Sequence, residues 1–173
     1  MNCPAERSVY MGEITYEGEN YTELLTVKYA EDILKLSKYI KYFENKKGND
    51  VANEYEGEQG KSSLNFPVYD STLLAFTRAA GETSLMDPNY IYKYRQYHIT
   101  TEKSEKDAIK DAKLRDVDLL RAILSRYVLE GRYKSARWIE GTERGVFHDI
   151  LVKLLDMYNF VKVERSSNLI TGE

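Results

Sequence analysis

Cysteine is nearly missing: Cys3 is the single thiol in 173 residues. No internal disulfide can form, and a reducing, cytoplasmic setting is the expectation. Two histidines leave too few donors for a zinc site, so neither a metal nor a cofactor is expected. No apolar run approaches the roughly 18 residues of a membrane span. The opening MNCPAERSVY lacks the basic-then-apolar order of a secretory signal, so no membrane partner is expected. An excess of one charge is missing as well, since 25 basic side chains face 28 acidic ones. That excludes a general polyanion binder, which needs a concentrated basic field.

What is present is enough apolar material for one core. Hydrophobic residues make up 42% of the chain and charged residues 31%, which excludes disorder throughout. Tyrosine is abundant at 15, whereas glycine (10) and proline (3) are sparse, so the breaks they mark carry weight. Charge is uneven along the chain. Residues 1–66 hold 12 acidic and 8 basic side chains, and residues 115–165 hold 8 acidic and 10 basic.

The pattern predicts a mainly α, single helical domain of about six helices over 29–163. An N-terminal extension (1–28) with a small β-hairpin precedes it, and a frayed tail (164–173) follows. The hairpin strands fall near 9–16 and 21–27, although Thr22–Val27 can equally open a helix. From Tyr29 to Glu44, Ile33, Leu36, Ile40 and Phe43 recur at helical spacing, with Leu34 widening the stripe. The polar, glycine-bearing stretch 48–65 reads as a loop. Asp70 can cap a helix that Gly81 ends, and Asp87-Pro88 reads as a second start. In that second helix Tyr90, Tyr94 and Tyr97 share a side, though 90, 92 and 94 would also alternate on a strand. Thr101 or Ser104 can cap the next helix, whose charges sit mostly at solvent positions. The most apolar helix is 118–130, closed by Gly131. A short helix near 132–140, a GTERG turn at 141–145 and a last helix over 146–158 complete the chain.

The candidate binding surface is a series of Arg–aromatic pairs: Arg126-Tyr127, Arg132-Tyr133 and Arg137-Trp138, with Arg144 after them. Guanidinium groups bind phosphate or carboxylate in a two-pronged fork and stack on rings. Arg126, Arg132, Tyr133, Arg137, Trp138 and Arg144 therefore form a candidate site for a nucleotide, an exposed base or a phosphorylated partner. They can instead be surface arginines paired with Glu130, Glu140 and Glu143. Arg132 is expected to pair with Glu130 or Asp149 and to support the Gly131 turn, so its truncation should destabilise. The GTERG turn precedes a helix N-terminus but lacks a P-loop ending, and a plain turn is the simpler reading. His148 and Asp149 are adjacent, so their side chains should diverge. Asp107 and Asp111 share a helical face that reads as solvated. No catalytic residue is expected, and the chain is not expected to be an enzyme.

Two stretches, NFPVYDSTLLAFTRAAGETSLMDPNY (65–90) and RYKSARWIEGTERGVFHDILVKLL (132–155), carry a resemblance. Together they resemble an uncharacterised family of small bacterial and phage-borne proteins, a domain of unknown function. Tyr69, Phe76, Met86, Asp87, Tyr90, Arg132, Tyr133, Gly145, Ile150 and Leu151 match, while Ala136 stands where the pattern has glycine. The resemblance covers about 33–158 and implies a compact helical domain with no assigned activity. A phage-borne distribution, as the resemblance implies, points to a non-enzymatic regulator with a protein partner. Its concrete form is an anti-CRISPR-like inhibitor whose acidic N-terminal region engages a basic surface. The alternatives are a nucleotide- or nucleic-acid-binding domain using the Arg/aromatic surface, and a structural oligomer joined by surface tyrosines.

Overall fold

Helical spacing prevails at the N-terminal end. The computed structural model describes residues 15–16, 19–48, 52–54, 67–134 and 136–170. Within them, the expected hairpin is a two-residue antiparallel pairing of β1 (Thr15–Tyr16) with β2 (Glu19–Asn20). The predicted strand over 21–27 is helical instead. The Asn20 side chain accepts the Glu23 N–H at 3.2 Å and caps α1 (Tyr21–Glu23), which runs on as a π-helix over Leu24–Lys28. Tyr21, Leu25 and Tyr29, four residues apart, are buried while Glu23 and Val27, which a strand would place on the same face, are exposed. Residues 9–14 of the predicted hairpin lie outside the described residues.

The 29–44 stripe divides into α2 (Ala30–Ser37) and α3 (Ile40–Lys46). The tight turn Tyr39 N–H to Leu36 C=O, 3.0 Å, breaks the ladder. The break puts Tyr39 in the core and leaves Ile40 half-buried, and Leu34 faces solvent rather than widening the stripe. The stretch 48–65 is not loop throughout: β3 (Ala52–Glu54) pairs antiparallel with β4 (Pro67–Tyr69). Its partner is distant in sequence, so local composition held no signal for it.

Asp70 caps α4 (Ser71–Gly81) as expected, accepting the Thr72 N–H at 2.7 Å. The Asp87-Pro88 signal is displaced: α5 spans Tyr90–Gln96. The Asp87 carboxylate accepts from Asn89 N–H at 2.8 Å, while its own N–H donates to Ser125 Oγ at 2.7 Å. It shapes the turn before the helix. Thr101 and Ser104 cap α6 (Glu102–Asp111) reciprocally. A 3₁₀ turn, Leu114–Asp116, leads into α7 (Val117–Glu130). The helix predicted at 132–140 is α8 (Ala136–Glu143), which absorbs most of the GTERG stretch. The turn proper is Arg144-Gly145, with Gly145 at φ 74°. The last helix, α9 (Val146–Ile170), continues far beyond Tyr158. Its apolar spacing persists through Met157 to Val161, both buried, so the expected frayed tail is helical to Ile170.

The described residues thus hold nine helices rather than about six. They pack around α9, which touches α1, α2, α3, α6, α7 and α8. At the centre Phe43, Phe76 and Phe147 meet with ring centroids 4.6–5.2 Å apart, in the edge-on and tilted geometries that ring quadrupoles favour. No helix among the described residues is long and apolar enough to cross a membrane.

Candidate functional site

Helix α5 carries two stripes with different work. Tyr90, Tyr94 and Tyr97 point inward, and each hydroxyl donates to a carboxylate. Tyr90 reaches Glu130 (2.9 Å), Tyr94 reaches Glu105 (2.6 Å) and Tyr97 reaches Asp116 (2.9 Å). Burial, then the partner carboxylate, pushes all three phenols well above their ordinary range. The second stripe, Ile91, Arg95 and His98, lines a cavity of about 570 Å³. The size suits a small-molecule site. The start of α6, the end of α7, Arg137 of α8 and Arg144 complete its walls.

His98 closes α5 in a left-handed conformation, φ 53°. Its N–H donates to Arg95 C=O (3.2 Å), and Ile99 N–H donates to Tyr94 C=O (2.9 Å). That is the Schellman pattern, in which glycine usually occupies this position.

Glu105, 2% exposed, is the deepest charge in the cavity. It accepts from Tyr94, from Tyr127 (2.7 Å) and from Arg126 Nη1 (3.1 Å), with Arg144 Nη2 at 3.6 Å. Glu130 accepts Arg137 Nε at 2.8 Å and has Arg126 Nε at 3.8 Å. Arg137 Nη1 also reaches Glu140, 2.7 Å. Arg144 donates to the Tyr127 hydroxyl at 2.6 Å and lies 3.4 Å from Glu102. Arg126 stacks on Tyr94, 4.8 Å from the ring centre. Burial opposes its charge, but Tyr94, Glu105 and Tyr127 outweigh that and hold the guanidinium above its usual range. The result is a polar cavity whose arginines are fixed in orientation by carboxylates, the arrangement that makes buried charge tolerable.

The sequence candidates divide. Arg126, Arg137 and Arg144 line the cavity together. Trp138 is structural: its indole N–H donates to Val128 C=O (3.0 Å), its ring meets Tyr69, and it packs flush against Gly131, leaving no room for a Cβ there. Tyr133 is exposed beside Tyr90 and is absent from the cavity wall. Arg132 contradicts its expected role. Glu130 is taken by Arg137, Arg126 and Lys134, and Asp149 by Lys47 and His148. Arg132 is exposed, with no ion pair among the described residues, and lies over Gly81. Arg132→Ala is therefore expected to move the melting temperature by no more than about 2 °C, as for other exposed side chains, checked by a circular-dichroism melt.

His148 and Asp149 also differ from expectation. Their side chains meet, Nδ1 to Oδ1 2.9 Å, and the same Oδ1 accepts from Lys47 Nζ at 2.7 Å. The pair lies outside the cavity wall. Asp107 and Asp111 are solvent-exposed, and no metal-binding cluster occurs among the described residues.

Glu105, Tyr94, Arg95 and His98 were not candidates on sequence. For Glu105 a signal existed: Glu105, Ile109 and Ala112, spaced four and three apart, share the buried face of α6. A carboxylate on an apolar stripe marks a buried charge. Arg95 and His98 carry no comparable local signal.

The chain belongs to a family of unknown function (DUF6508), whose model matches residues 28–160. No curated protein and no solved structure matches it.

Proposed function

We propose that this family member is a binding protein for a small phosphate-bearing ligand of the nucleotide type, held in the cavity between α5, α6 and α7. The observation that supports this reading is the convergence of Arg95, Arg126, Arg137 and Arg144, from four parts of the chain, on one cavity whose volume suits such a ligand. Tyr90 and Tyr94 add aromatic wall beside them, and Ile91 adds exposed apolar surface at the opening. Guanidinium and ring surfaces together suit a planar base with an anionic group attached. No residue is given a catalytic role.

The reading as an inhibitor of host defence draws on the acidic N-terminal part. Residues 1–14, 17–18, 49–51 and 55–66 of that part lie outside the described residues, and the cavity carries the reading argued here. Isothermal titration of the chain with nucleoside monophosphates is expected to show saturable one-site binding. Arg137→Lys, which keeps the charge and loses the flat guanidinium face, should weaken it about tenfold. Absence of binding to any nucleotide at millimolar concentration would overturn the proposal.

A further inference from the structure

The cavity's three inner arginines are not its source of net positive charge. Arg126 is held by Glu105 and Glu130, Arg137 by Glu130 and Glu140, and Arg144 by Glu102 and Glu105. Four carboxylates thus face three guanidinium groups, and the interior network has no positive excess to offer a phosphate. A phosphate placed among them would have to break existing pairs, and those of Glu105 and Glu130 would leave a buried carboxylate without its partner.

Arg95 differs from the other three. It lies on the cavity wall, is solvent-exposed, and has no side-chain hydrogen bond or ion pair among the described residues. His98 stands three residues on, one helical turn away and on the same wall, likewise exposed and without a side-chain partner there. Its left-handed backbone is one that glycine would adopt at lower cost. An imidazole held at such a position on a cavity rim is an observation from which a role can be inferred.

We infer that Arg95, with His98 beside it, is the anion-recognition pair of the cavity, so that the ligand's phosphate faces outward at the rim and its uncharged planar part faces inward. This deepens the nucleotide reading and rests on it. The two side chains supply a two-pronged guanidinium and a ring N–H from a single helix end, with no carboxylate among the described residues paired to either. The inner arginines then serve the planar part, offering flat faces and the N–H groups left over from their ion pairs.

The test compares adenosine 5′-monophosphate with adenosine by isothermal titration at low ionic strength. The wild-type chain should bind the monophosphate about 10–100-fold more tightly, the discrimination expected of charge-assisted hydrogen bonds. Arg95→Ala should remove most of that preference and leave adenosine binding unchanged. His98→Gly, which retains the left-handed turn at no steric cost, should keep or raise the melting temperature while reducing the preference. A preference that survives in Arg95→Ala overturns the assignment and moves the phosphate to the inner arginines. Equal binding of both compounds by the wild type also overturns it, while leaving the cavity as a binding site. Binding of neither compound removes the nucleotide reading itself, and the rim assignment with it.

Discussion

Glu105→Ala is expected to lower the melting temperature by about 6–20 °C, the equivalent of roughly 3–5 kcal/mol for opening a buried charged network in a domain of this length. The carboxylate is almost wholly out of water and satisfies two phenols and a guanidinium at once. Without it the Tyr127 hydroxyl, on a fully buried residue, loses its acceptor while still receiving a hydrogen bond from Arg144. Arg126 would be left with the more distant Glu130 alone. Helix propensity runs the other way, because alanine is the better helix former. A loss would therefore belong to the network and not to α6. Glu105→Gln should recover part of the loss, since the amide keeps the volume and one acceptor but turns a donor toward other donors. A melting temperature within about 2 °C of wild type for Glu105→Ala would show that the network contributes little.

That network also shows where sequence reasoning reached and where it stopped. Periodicity reported faces well: Tyr90, Tyr94 and Tyr97 were placed on one side of a helix, and their hydroxyls do point into the protein together. It could not report what lies opposite a face. Glu105 sits in a lysine- and glutamate-rich segment, and its burial is decided by Tyr94, Tyr127 and Arg126, which reach it from α5 and α7. The same limit explains β3, whose partner β4 is distant in the chain. It explains Arg132 too. The Arg–aromatic repeat suggested one surface, yet α8 starts only at Ala136, which turns Arg137 toward Glu130 and leaves Arg132 outside. Arg126, Arg137 and Arg144 reached the cavity, whereas Arg132, favoured by the same guanidinium chemistry and by the family pattern, did not, because side-chain chemistry does not report on which side of a chain turn a residue falls.

Acid should expose the second carboxylate of the cavity. Burial alone would raise the Glu130 carboxyl above its usual range. The hydrogen bond from Tyr90 and the hydrogen bond and charge of Arg137, with Arg126 behind them, outweigh burial and hold it lower than in the unfolded chain. A carboxyl depressed by folding contributes its stabilisation in full above the unfolded value, about 4.3 for glutamate. It loses that contribution as pH falls through the lower folded value, because the unfolded chain then binds more protons. Glu130→Gln keeps the volume and discards the charge. Its melting temperature should lie about 3–12 °C below wild type at pH 7, from roughly 1.5–3 kcal/mol of charge-assisted hydrogen bonding. The gap should close as pH is lowered from about 5 toward 3, where the wild-type carboxyl also takes up a proton. Asp149, likewise held below its usual range because the partners His148 and Lys47 outweigh burial, should leave the variant some acid sensitivity of its own. A gap between the two melting curves that stayed constant down to pH 3 would mean that the loss comes from the amide donor turned toward Arg137 and Tyr90 and not from the missing charge.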